Sequence, residues 1–113
     1  MGMVVPIEVH RGDILLIGLN PTVGHEIQKT RPCVVVSPDE LNQHLQTMIV
    51  APMTTGGFSY PFRVPCKFKG KSGHIVLDQI CTIDRGRIMR PLGRLQSGTL
   101  EMVIAALQEM FAQ

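Results

Sequence analysis

The 113-residue chain has no tryptophan, and aromatic residues make up only 4% of it. A broad platform of stacked bases, common in single-strand binders, is therefore not expected. The chain contains three cysteines, Cys33, Cys66 and Cys81. An odd number without short spacings speaks against a disulfide framework or a structural zinc site. Reduced thiols in a cytoplasmic protein are the simple reading. His10, His25, His44 and His74 form no i, i+4 pair on a helix, so neither a metal site nor a cofactor is expected. No run approaches the roughly 20 apolar residues that a membrane span needs. The opening MGMVVPIEVH lacks the basic stretch and long apolar core of a secretory signal. Charge is not extreme either. A net +2 permits a polyanionic partner without requiring one.

What is present suits one small domain. The chain is 44% hydrophobic and 18% charged, enough to bury a core. It reads as a single unit over 1–113, with 1–10 as a looser lead-in. A chain this short buries a modest share of its surface, and dimerisation would bury more.

The pattern is mainly β. Ile14 to Leu19 is a short apolar run between Gly12-Asp13 and Asn20-Pro21, read as a strand buried on both faces. Asn20 to Pro32 is polar with Pro and Gly, hence a loop, and Cys33 to Val36 is a second strand. Ser37-Pro38-Asp39-Glu40 carries the residues that start a helix, with Ser37 as cap, and the helix should end near Gln46. Thr47 to Met53 is a third strand in which Pro52 implies an edge or a bulge. Pro61 to Phe68 and His74 to Leu77 are further strands, joined by a turn over residues 69–73. Ile80 to Ile83 reads as a continuation of the fifth strand past a bulge, and Arg87 to Leu95 as a weaker strand. Leu100, Val103, Ile104, Leu107 and Phe111 have helical spacing, with Ser97 as cap. Five or six short strands and one terminal helix predict a small barrel. Closing the sheet would remove its edges, and the helix would cover one opening.

Two suggestive strings carry little. Gly70-Lys71-Ser72 mimics the tail of a phosphate-binding loop, but Pro65 stands where the earlier glycine is needed. Cys33 could in principle serve as a nucleophile, yet it sits in an apolar strand where an inert thiol is expected.

Four segments taken in order are more telling. They are Arg11-Gly12-Asp13-Ile14; Asn20 to Glu26 running on to Thr30-Arg31-Pro32 and Ser37; Ile49 to Thr55; and Leu77 to Asp84. In this order and spacing the chain resembles the MazF/PemK toxin family. The resemblance implies an SH3-like barrel with a short helix after the second strand and a C-terminal helix. It also implies a homodimer that cuts single-stranded RNA, an mRNA interferase that arrests translation and growth until a cognate antitoxin blocks it.

RNA carries its own nucleophile, the 2′-hydroxyl, so cleavage needs no metal. It needs a base, an acid for the leaving 5′-oxygen, and positive charge for the transition state. The resemblance puts Arg31 first among catalytic residues, because its planar fork matches a phosphate and never loses its charge. It adds Thr54, whose hydroxyl can hold a phosphate oxygen or the 2′-hydroxyl. His25 is an acid/base in one family branch, and Glu26 serves in others. Asp78 matches an aspartate proposed as a base in one branch, but Val76 stands where that branch has a catalytic arginine. For RNA binding the candidates are Thr55, Gln79, Phe58 and Lys29, with Gln79 able to read a base edge. Lys67, Lys69, Lys71, Arg85, Arg87, Arg90 and Arg94 make the second half basic and are candidates for tracking phosphates. The rival readings are a family member without catalysis that only binds a partner, and the non-enzymatic, gyrase-poisoning kind of toxin on the same fold. Those toxins act through a C-terminal Trp-Gly-Ile, whereas this chain ends Phe111-Ala112-Gln113.

Overall fold

The computed structural model describes residues 8–19, 30–56 and 60–113. Among these, strand β1 (Asp13–Gly18) is followed by β2 (Thr30–Val35), helix α1 (Asp39–His44) and β3 (Thr47–Thr55). A hairpin of β4 (Arg63–Phe68) and β5 (Lys71–Val76) comes next, then β6 (Cys81–Asp84), β7 (Ile88–Arg94) and helix α2 (Ser97–Met110). Short 3-10 turns at Leu77–Gln79 and Arg85–Arg87 flank β6.

The strand order is β4-β5-β3-β2-β1-β7, with β6 also paired to β3. β3 forms a corner. Its first half, Thr47 to Val50, pairs with β6, and its end, Met53 to Thr55, pairs with β5. Pro52 falls where β3 changes partner, opposite Cys33 of β2. It is buried in the centre of the sheet and marks neither an edge nor a bulge. The break between two ladders leaves room for a residue without an N–H. The same geometry corrects the expected continuation of β5. The 3-10 turn at Leu77–Gln79 redirects the chain, and Cys81–Asp84 becomes a separate strand.

Three local expectations also change. β2 begins at Thr30 rather than Cys33, because Thr30, Arg31 and Pro32 pair with Gly18, Ile17 and Leu16. The hairpin turns on Lys69 and Gly70 alone, both at positive φ (51° and 77°), so pairing runs on to Phe68 opposite Lys71. Two such residues reverse the chain with the twist that antiparallel strands require. Neither helix has the expected serine cap. Pro38 and Gln96 occupy the capping positions and make no side-chain cap bond. Ser37 Oγ instead donates to Asn42 Oδ1 (2.6 Å) and accepts from Ile49 N, while Asn42 Nδ2 donates to Ser37 O. Both side chains are buried. An unpaired buried amide would cost about 1–3 kcal/mol, which outweighs a cap exposed to water.

Alternation along the strands builds two cores. Ile14, Val34, Ala51 and Met53 face one side with Val64, Ile75, Leu77 and Val103 of α2. Leu15, Ile17, Cys33, Val35, Met48 and Val50 face the other with Val9 and Ile83. β1 is thus buried on both faces, as its apolar run requires.

The sheet curls as an SH3-like barrel does, but its end strands, β4 and β7, are not hydrogen-bonded to each other. Full closure, expected from the strand count, is not what the chain does. Pro65 and Pro91 lie within the two end strands, and exposed Lys67, Arg90 and Arg94 decorate them, which protects open edges from stray pairing. Side chains fill the seam instead. Phe68 of β4 packs toward Gly93 of β7, and α2 lies against β4.

Candidate functional site

A cleft of about 520 Å³ opens beside that seam. One wall comes from β1, β2 and β7, where Leu16 pairs with both Pro32 and Arg90. The other wall comes from the end of β3 and the β4–β5 hairpin. There Gly73 lies between Thr55 and Cys66, with Phe68 and Lys71 paired beyond it. This face continues outward from core residues Met53, Val64 and Ile75, so the floor of the cleft is the core's own rim. Gly73 is required by crowding. A Cβ there would stand 1.7 Å from the Thr54 carbonyl oxygen and 2.7 Å from its carbon.

Arg31 and Thr54 meet at this cleft. Each is half-buried, Arg31 near the start of β2 and Thr54 near the end of β3, two strands that lie side by side. Thr55, Lys69, Lys71 and Arg90 line it as well, and among the described residues no carboxylate does. Other arginines have partners elsewhere. Arg63 grips Asp78, Arg94 bonds Asp13, and Arg11, Arg85 and Arg87 donate to the carbonyls of Val36, Leu45 and Gly18. Among the described residues, Arg31, Arg90, Lys69 and Lys71 have no hydrogen bond or ion pair to such an acceptor. Of the described lysines and arginines without such a partner, all but Lys67 line the cleft.

Asp78 and Gln79 are not brought to this cleft. They sit on the 3-10 turn after β5. The Arg63 guanidinium bonds Asp78 through Nε to Oδ1 and Nη2 to Oδ2, both at 3.0 Å. These bonds hold the Asp78 carboxyl below the usual carboxylate range. Because the folded pKa is depressed, the pair stabilises the fold above the unfolded value of about 3.9 and ceases to do so as pH falls through the folded value. Asp78→Asn is expected to cost less than about 1 kcal/mol at pH 7, as befits a half-exposed pair, and less than that at pH 2. Urea melts at both pH values check this, and a gap of the same size in acid would contradict it. His25, Glu26, Lys29 and Phe58 lie outside the described residues. Tyr60 is exposed, with its ring 5.0 Å from the Arg63 guanidinium carbon.

Burial pushes the Cys33 thiol up to about 12, consistent with an inert core residue. Among the described residues, no three His, Cys, Asp or Glu side chains are grouped to hold a metal ion, and no helix is long and apolar enough to cross a membrane.

With this arrangement in view, comparison with known proteins is decisive. Residues 10–111 match the model of the PemK-like, MazF-like toxins of type II toxin-antitoxin systems. The chain belongs to this family.

As a PemK/MazF-type toxin it is 34% identical over 115 residues to Endoribonuclease toxin ChpB of Escherichia coli (strain K12), covering 94% of this chain and 97% of that protein. A shorter stretch of 50 residues is 44% identical to Endoribonuclease PemK of Escherichia coli, covering 44% of this chain and 38% of that protein. Among solved structures, MazF from Deinococcus radiodurans superposes with a TM-score of 0.82 at 27% identity, over 95% of this chain and 99% of that one. The resemblance read from the four segments is thus confirmed at the level of family and fold.

Sequence reasoning did not single out Gly73, Cys66, Phe68 or Leu92 for the toxin's cleft. The alternation of β4 signalled that Cys66 and Phe68 share a face. Nothing local revealed that β7 comes round to oppose them.

Proposed function

We propose that this toxin is a sequence-specific, metal-independent endoribonuclease that cleaves single-stranded mRNA and is neutralised by its cognate antitoxin. The observation that carries the reading is the meeting of Arg31 and Thr54 in a cleft whose described lining holds cations and no carboxylate. The family relatives named endoribonucleases point the same way.

The chemistry follows from the substrate. The 2′-oxygen attacks the adjacent phosphorus, the bond to the 5′-oxygen breaks, and the leaving oxygen takes a proton. The products carry a 2′,3′-cyclic phosphate and a 5′-hydroxyl. Arg31 places its charge on the non-bridging oxygens as negative charge builds there. Thr54 orients a phosphate oxygen or the 2′-hydroxyl, and Thr55 contacts the neighbouring nucleotide. The base and acid come from His25, Glu26 or Asp78. Asp78, gripped by Arg63, is a weak base unless that pair opens. Gln79, Phe58 and Lys29 contribute contacts to the RNA. The toxin acts in the cytoplasm as a homodimer, and an acidic antitoxin segment seated in the same cleft excludes RNA by occupying its phosphate sites.

The test is incubation of the purified protein with a long single-stranded RNA in excess EDTA, followed by mapping of fragment ends. Discrete cuts with 5′-hydroxyl ends are expected, and they reveal the recognition sequence. Intact RNA across several diverse substrates would refute the proposal.

A further inference from the structure

We infer that the tip of the β4–β5 hairpin is a second RNA-gripping element of the cleft, in which Lys69 and Lys71 bind backbone phosphates beside the one that Arg31 attends. The inference rests on the endoribonuclease reading and selects, from the basic residues of the second half, the two at the hairpin tip that line the cleft.

Three observations carry it. The first is the distribution of charge. Among the described residues, five arginines are occupied by carboxylates or carbonyls, and the cleft cations have no such partner. Unpaired cations collected in one concavity repel each other and remain there at a cost in stability unless a polyanion neutralises them. The second is the way the tip is held. Lys69 adopts a left-handed conformation (φ 51°), and its ammonium lies 5.5 Å from the centre of the Phe68 ring. The tight two-residue turn places both lysines at one end of the cleft with little backbone freedom to lose on binding. The third is the floor beneath them. Phe68 and Cys66 lie on the cleft face of β4 and give the cleft an apolar floor. A single unstacked base fits such a floor while its flanking phosphates reach the lysines. Lys67 provides the contrast. It lies on the same strand between Cys66 and Phe68, so alternation turns it away, and it does not line the cleft.

The test uses the full chain and a short single-stranded RNA with 2′-O-methyl riboses, which cannot supply the nucleophile. Affinity is measured across a series of KCl concentrations for the parent, a Lys69→Asn/Lys71→Gln variant and Lys67→Gln. Asparagine is chosen because it tolerates the left-handed conformation at 69. On a single strand, removing one lysine–phosphate ion pair lowers the slope of log affinity against log salt by about 0.7, so the double variant is expected to be shallower by about 1.4. Lys67→Gln keeps the parent slope. With cleavable RNA, the double variant raises KM and leaves kcat unchanged. An unaltered slope and KM in a double variant of a parent that cuts RNA would overturn the inference alone. So would an equal loss in Lys67→Gln, which would mean that only net charge matters. A parent that neither cuts nor binds RNA would remove the endoribonuclease reading and this inference together.

Discussion

Arg31→Ala is expected to lower the single-turnover cleavage rate by about 10²–10³-fold, the cost of deleting one preorganised charge from a transition state. Among the described residues the Arg31 guanidinium makes no hydrogen bond, so the fold does not depend on it. The thermal midpoint should therefore stay close to that of the parent, and the loss should appear in kcat. Arg31→Lys should recover part of the rate, because it restores charge but not the planar fork. Quenched-flow cleavage of an RNA carrying the mapped site, alongside thermal melts, provides the measurement. A folded Arg31→Ala protein that cuts at the parent rate would remove Arg31 from the mechanism.

The second large effect lies at a residue with no chemistry. Gly73→Ala is expected to destabilise the protein by about 3 kcal/mol, at the upper end of overpacking penalties, and to lower activity even below the melting point. The added Cβ meets the Thr54 carbonyl at 1.7 Å and the Thr55 Cα at 3.0 Å. These are backbone atoms and cannot rotate away, so β3 and β5 must part where Thr54 and Thr55 face the cleft. Gly70→Ala is the comparison. Gly70 sits at φ 77° with nothing within 4 Å of the new Cβ, so only the strain of its conformation opposes the change, about 1 kcal/mol. Chemical denaturation of both variants separates crowding from conformational preference. Equal, small losses would show that β3 and β5 tolerate a wider spacing at this point.

Much of the architecture was legible because it rests on short-range physics. The apolar run in β1, the alternation of β4 and the helical spacing of α2 each depend on neighbours a few residues apart. The misreadings share a cause. Ser37 looks like a cap because capping is local, but a buried amide five residues on competes for the same hydroxyl. Pro52 looks like an edge marker because proline has no N–H to give a ladder, yet a central strand that changes partner on one side has a position that is unpaired on that side.

The site divides in the same way. The sequence alone determined that the chain is mainly β and has no membrane-length apolar run. It also determined which residue types are available for phosphate chemistry, and through its four ordered segments it marked the family, with Arg31 and Thr54 as leading candidates. Only the tertiary structure decided which charges remain unpaired, that Arg31 and Thr54 share a cleft with Arg90, Lys69 and Lys71, and that Asp78 is engaged by Arg63 instead. The reason is physical. Pairing between strands distant in sequence is fixed by burial and hydrogen-bond satisfaction over the whole sheet, so no window of neighbouring residues contains the information about which side chains finally face one another.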